Sequence, residues 1–207
     1  MIHLAEKYLG IGKNGKLELI EYYNTNCYPQ VNPKRKYKMT PKDNWCAMFT
    51  TVIAHMSGLN ASQFPYEVSV WWQCEIAKQR GLYHTDVNKA RPNDLIIYDW
   101  KKTNRYNHVG FVVSVGNGMV RAIEGNKSDT VAYRNIRVDS ALIRGFITTN
   151  YKPDLPVDLP VDLPVMDYDL RIAMLAIAVL KGKLGNGNER RIKLGDDYDA
   201  VQRLINS

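Results

Sequence analysis

Apolar residues recur at Trp45, Met48, Phe49, Val52, Ile53 and Met56, the i, i+3, i+4, i+7, i+8, i+11 spacing that gathers them on one face of a helix. Asp43 stands where an N-cap is wanted, and Gly58 where a chain can leave a helix in the left-handed conformation. A second helix is expected around Val68–Gln79, ending near Gly81. Then the pattern changes. Leu95–Tyr98, Val109–Val115, Met119–Glu124 and Gly145–Thr149 are short β-rich runs separated by Gly, Asn and Pro. Helices first and antiparallel strands afterwards predict an α+β domain over residues 1–150 rather than an alternating α/β one.

Residues 151–166 form a break, within which 154–165 read Asp-Leu-Pro-Val three times. Proline at every fourth position removes amide donors and fixes φ near −65°. The segment is expected to be an extended, semi-rigid spacer, on the order of 37 Å long at about 3.1 Å per residue. Residues 167–207 then read as a small all-α, three-helix module. Asp169–Leu180 makes one helix, Gly185-Asn186-Gly187 a turn with exposed amides, and a short helix leads to a last one over Asp197–Ile205. Leu170, Ala173, Ile177 and Leu180 are expected on one buried face, and Tyr198, Val201, Leu204 and Ile205 on another. About forty residues without a cross-link are marginal for independent folding, so support from self-association or from the first domain is expected.

Composition narrows the function. A hydrophobic share of 45% supports a real core and excludes global disorder. The net charge of +7 is not spread evenly: residues 1–150 carry +8, with a cluster at Lys34, Arg35, Lys36, Lys38 and Lys42. That balance predicts an anionic partner, whether nucleic acid, a membrane surface or an anionic cell wall. No nucleic-acid recognition motif accompanies the cluster, so no specific nucleic-acid partner is expected. The longest apolar run, Ile172–Leu180, has nine residues, far short of the roughly 20 that span a bilayer, and no membrane insertion is expected. The first residues mix charges with apolar side chains and lack the apolar stretch of a signal peptide. The chain is therefore expected in the cytoplasm when made.

Three cysteines, Cys27, Cys46 and Cys74, are too few for a disulfide framework and leave at least one free thiol. With Asp43 as cap, Cys46 falls at about the third position of its helix, where first-turn amides and the helix dipole stabilise a thiolate. Of four histidines, His55 is on the opposite side of that helix, His3 is at the chain start and His84 is in a polar loop. His108 stands directly before a strand, where a catalytic imidazole can face a cleft. The turn Gly116-Asn117-Gly118 has two readings. A three-residue loop pairs Val115 with Met119, which sets Asn126 opposite His108 and Glu124 diagonal to it on the same face, where either could orient the imidazole. A two-residue loop shifts the register by one and turns both away.

Asp43-Asn44-Trp45-Cys46-Ala47-Met48-Phe49, Arg91-Pro92-Asn93-Asp94-Leu95-Ile96, Asn107-His108-Val109-Gly110 and Ile123-Glu124-Gly125-Asn126 together resemble a CHAP domain, the cysteine, histidine-dependent amidohydrolase/peptidase family. The resemblance covers roughly residues 1–150 and implies a papain-like, NlpC/P60-related fold. It implies Cys46 as nucleophile, His108 as general base and acid, Glu124 as orienting acid and Asn126 as an accessory polar residue. Some family members carry an Asp-rich calcium loop before the cysteine. Here Asn32–Asp43 is Lys-rich with a single carboxylate, so neither a metal nor another cofactor is expected.

The segment Val179–Arg191, with Asp197-Tyr198-Asp199-Ala200-Val201-Gln202 after it, resembles a Cpl-7 type cell-wall-binding repeat over about residues 167–207. By resemblance Gly185, Asn186, Gly187 and Arg190 line a muropeptide site, and Leu184 stands where the family usually has an aromatic residue. The two resemblances together imply a phage endolysin that acts on Gram-positive peptidoglycan, drawn also to anionic wall polymers. It would be made in the host cytoplasm and would reach the wall once the membrane is permeabilised. The bond cut is either N-acetylmuramoyl–L-alanine or a peptide bond of the stem or cross-bridge. Met166 and Met174 offer a second start, whose free C-terminal module could assemble with the full chain as an alternative to a homo-oligomer. The competing reading is a non-catalytic wall- or polyanion-binding protein on the same scaffold, which should have lost one of the Cys, His or carboxylate positions; none is lost. A chelator should therefore leave lysis of walls unchanged, as a turbidity assay can check; a loss reversed by calcium would contradict this reading.

Overall fold

A computed structural model describes residues 1–12, 15–151, 168–180, 182 and 184–206. The Asp-Leu-Pro-Val repeat and its expected extended spacer lie outside these residues. The chain divides into two units, Met1–Tyr151 and Lys152–Ser207.

The first unit begins with helices α1 (Ile2–Glu6), α2 (Gly15–Tyr22), α3 (Cys46–Met56) and α4 (Val70–Gln79). Strands β1 (Tyr83–His84), β2 (Leu95–Tyr98), β3 (His108–Gly116), β4 (Met119–Lys127), β5 (Thr130–Arg137) and β6 (Ile143–Ile147) follow. They form one sheet in the order β1-β6-β2-β3-β4-β5, every neighbouring pair antiparallel. This is an α+β architecture. Strand alternation sends Leu95, Ile97, Val109, Phe111 and Ile123 into the core shared with α2 and α3. Ile96, Tyr98, Val112, Val120, Ala122 and Phe146 fill a smaller core on the other face.

The α1, α2, β1 and β5 elements were not expected from the sequence. Helix α2 buries Lys16 along with Leu19 and Ile20, so its apolar stripe is broken. Strand β5 pairs on only one side, with β4, and buries just Val131 and Ile136, so its pattern is mostly polar.

The start of α3 also differs from expectation. Its N-cap is Trp45, with no side-chain cap, and Cys46 is its first residue rather than its third. Asp43 is occupied one turn earlier: its carboxylate accepts from the Thr40 amide at 2.7 Å, the Thr40 hydroxyl at 2.8 Å and the Tyr37 hydroxyl at 3.0 Å. A side chain that closes this local turn cannot also cap the helix. The other end is as expected. Gly58, at φ +85°, donates to His55, and Leu59 donates to Ala54, the paired bonds of a glycine C-cap.

The β3–β4 hairpin resolves the register question in an unexpected way. The loop has two residues, Asn117 and Gly118, both at positive φ, and Gly116 pairs with Met119. A bulge between Val112 and Ser114 then absorbs one residue, so Val112 pairs with Ala122 and Phe111 with Ile123. Of the two readings the loop takes the two-residue one, yet the bulge restores beyond it the register that a three-residue loop would have set. Helix α3 lies directly on β4 at Gly125, where an added Cβ would sit 2.5 Å from Phe49 Cβ.

In the second unit α5 (Tyr168–Leu180), α6 (Gly187–Leu194) and α7 (Tyr198–Ile205) surround a core of Ile172, Leu175, Ala176, Val179, Leu184, Leu194 and Val201. Ile177 and Leu180, expected on the buried face of α5, are 50% and 72% exposed. Nine consecutive apolar residues contain no polar position to mark which way the helix is turned, so sequence spacing could not fix its rotation. Leu204 is also exposed, whereas Val201 is fully buried.

Gly125→Ala must push α3 off β4. Overpacking of this kind costs about 1–3 kcal/mol, which a denaturant titration should show as a lowered midpoint with an unchanged slope.

Candidate active site

Because Cys46 opens α3, its amide has no carbonyl one turn behind it and the helix dipole points at its side chain. The residue is 5% exposed. Its approach is fixed by Trp45, whose indole N–H donates to Asp129 at 3.1 Å while Lys16 donates to the same oxygen at 2.9 Å. Asn24 clamps the preceding segment by exchanging two 2.9 Å hydrogen bonds with the Met39 backbone.

His108 opens β3 opposite Tyr98 of β2. The residue before it, Asn107, is held in turn: it accepts from the Trp100 amide at 3.0 Å and donates to Asp99 at 2.9 Å. The His108 Nε2 lies 2.9 Å from Glu124 Oε2, and the Cys46 sulfur also bears on the imidazole, helping to raise its pKa. With Nε2 engaged by the carboxylate, Nδ1 is the nitrogen left for the sulfur.

Glu124 is fully buried on β4. Arg134 of β5 donates through Nε to both carboxylate oxygens, at 2.7 and 2.9 Å, and its guanidinium lies 4.4 Å from the centre of the Trp100 ring. Gly110 makes the reach to His108 feasible, since a Cβ there would sit 2.5 Å from Glu124 Cγ and 2.8 Å from the Ile123 carbonyl. His108 and Glu124 are thus joined by a direct hydrogen bond, and the Cys46 sulfur bears on the same imidazole. Asn126 stands beside them but bonds elsewhere, donating to Asn44 Oδ1 at 3.2 Å.

Burial by itself would lower the His108 pKa. The hydrogen bonds and negative charges of Cys46 and Glu124 outweigh it and raise the pKa from 6.5 to about 9. Burial would raise the Glu124 pKa, but the His108 and Arg134 donors hold it below the usual carboxylate value. Tyr98, buried against Glu124, is pushed well above 10 by desolvation and by that carboxylate's charge. Burial pushes the Cys27 and Cys74 thiols up to about 12, a rise that the nearby Lys78 charge does not offset at Cys74. All three cysteines are free.

Sequence reasoning missed Arg134, Trp100, Asn107 and Asp129. Arg134 lies on the edge strand that pattern did not reveal, Trp100 and Asp129 act through contacts between segments far apart in the chain, and Asn107 closes a short loop back onto Asp99 and Trp100.

In the second unit Gly185 and Gly187 take positive φ and Asn186 caps α6. Arg190 donates to the Gly185 carbonyl at 3.0 Å and to Asn186 Oδ1 at 2.7 Å. The expected wall-contacting residues therefore form one closed turn. Leu184 packs in the core at 5% exposure.

His108 is more basic folded than unfolded. Its contribution to stability is therefore full below about pH 6.5 and lost as pH rises through about 9. An NMR titration should find His108 protonated at neutral pH, and Cys46→Ala should move its midpoint down toward 6.5; an unchanged midpoint would show that the sulfur does not bear on the imidazole.

Residues 36–126 match the family model of the CHAP domain, and residues 173–207 that of the CW_7 repeat. No curated protein matches the chain. Among solved structures, the crystal structure of Ly7917 is similar at 13% identity and a TM-score of 0.37, over 66% of this chain and 62% of that one. The chain thus carries a papain-like CHAP domain in its first unit and a CW_7 repeat in its second.

Proposed function

We propose that the protein is a lysin that cleaves an amide bond of Gram-positive peptidoglycan through Cys46, either N-acetylmuramoyl–L-alanine or a peptide bond of the stem or cross-bridge. The observation that carries this reading is the buried His108–Glu124–Arg134 hydrogen-bonded chain, with Cys46 at the first position of α3 bearing on the same imidazole. The Cys46 thiolate attacks the carbonyl carbon, and the amide of Cys46 donates to the oxyanion. The imidazolium of His108 gives its proton to the leaving nitrogen as the C–N bond breaks. Neutral His108 then takes a proton from water, whose oxygen displaces sulfur from the thioester and restores the thiolate. Glu124 stabilises the imidazolium, and Arg134 fixes the carboxylate that does so.

The +8 charge of residues 1–150 favours capture by anionic wall polymers. The C-terminal module adds a second attachment through its Gly-Asn-Gly turn. Release from the host cytoplasm after phage-mediated permeabilisation is the delivery route that fits this pairing.

Mass spectrometry of digested walls should show new amine and carboxyl termini and no new reducing sugar ends, with the residue bearing the new amine separating amidase from endopeptidase. New reducing ends would instead mark a glycosidase. Residues 1–151 alone should bind walls more weakly than the full chain while hydrolysing soluble muropeptide at a similar rate; equal binding in a sedimentation assay would refute targeting by the module.

A further inference from the structure

Next to the dyad lies a cavity of about 320 Å³, lined by Trp100, His108, Asn126, Lys127, Ser128 and Arg134. Its lining includes the imidazole but not Cys46, so it opens on the imidazole's side of the pair. That side has a chemical meaning. His108 must deliver a proton to the departing nitrogen, so the fragment that leaves with the amine has to pass beside the ring.

The charges around the cavity do not cancel. Arg134 is matched by Glu124, and Lys16 by Asp129. Lys127 is left over: its ammonium has no hydrogen bond or ion pair among the described residues. Arg134 spends only Nε on Glu124, and its two terminal nitrogens have no hydrogen-bond partner among the described residues. Stacking on Trp100 at 4.4 Å fixes the guanidinium plane. The bulge between Glu124 and Lys127 and the closing pair Lys127–Thr130 hold Lys127 at the strand end, next to the Ser128 hydroxyl. A fixed donor fork and a free ammonium facing one small polar cavity suit a planar anion.

We propose that this cavity is the subsite for a carboxylate on the amine-bearing fragment of the cleaved wall peptide, held by Lys127 together with the terminal nitrogens of Arg134. The inference rests on the hydrolase reading above and adds a specificity to it: a stem whose corresponding carboxylate is amidated is a poorer substrate. An amide offers the same shape without the charge, and its NH2 group would point a donor at two cationic donors.

The test uses the full chain and synthetic muropeptides in which each stem carboxylate is in turn converted to a carboxamide. For the wild type, one of these conversions should lower kcat/KM about tenfold, mainly through KM. Lys127→Met should lose about tenfold on the free carboxylate and no longer distinguish the two peptides, whereas Lys127→Arg should keep the preference. Thermal melts of the variants identify any that fail to fold, in which case Lys127→Gln replaces Lys127→Met. No discrimination by the wild type, or the same discrimination in Lys127→Met, would overturn the subsite while leaving the hydrolase reading in place. No cleavage of any peptide by the wild type would overturn both.

Discussion

A carboxylate with no exposure to solvent is costly unless each of its oxygens is matched. Glu124 is matched on one side by His108 and on the other by Arg134. Removing a single partner from such a buried set leaves an uncompensated charge, which typically costs about 3–5 kcal/mol. Much of the sheet serves this requirement. Strand β3 supplies the imidazole, β4 the carboxylate and β5 the guanidinium, so the three must be neighbours in that order. Gly110 is needed because the Glu124 side chain lies across β3 where a Cβ would be. The bulge near Val113 is needed because a two-residue turn alone would place Glu124 on the wrong face. The protonated state of His108 follows from the same arrangement, since that form satisfies both the sulfur and the carboxylate.

The helical half of the domain has the complementary task of delivering one sulfur atom. Helix α3 is seated on β4 through Phe49 and Gly125, and its first residue is aimed by Trp45, which is anchored to Asp129, itself held by Lys16. Asn126 and Asn44 tie the two halves together at the rim. Cys46 is thus positioned by contacts spread along the chain from residue 16 to residue 129. That spread explains why a single short motif around Cys46 says little by itself.

The parts legible in the sequence were those with strong periodicity or a local signal. Helix α3 announced itself by its stripe and its glycine stop, and the central strands by their apolar runs between turn residues. His108 was legible as a polar residue at the head of such a run. What sequence could not show were features decided by which of several partners, near or far in the chain, a side chain takes. Asp43 has the right chemistry to cap α3, but Thr40 and Tyr37 claim it. The hairpin turn left two loop lengths open, and only the bulge, which the sequence does not reveal, lets the two-residue loop bring Glu124 beside His108. Arg134 sits on an edge strand whose exposed side makes its pattern look like a loop. In the second unit, the uninterrupted apolar run of α5 concealed its rotation, and Ile177 and Leu180 proved to face solvent.

The account stands or falls on a covalent bond between Cys46 and the acyl part of the wall peptide. The full chain, mixed with wall fragments and quenched in acid within the first turnover, should yield a tryptic peptide containing Cys46 heavier by one acyl group, and the adduct should be absent from Cys46→Ala, whose activity should fall by at least about a thousandfold. An adduct on another residue, or solubilisation of walls by Cys46→Ala at an undiminished rate, would contradict it.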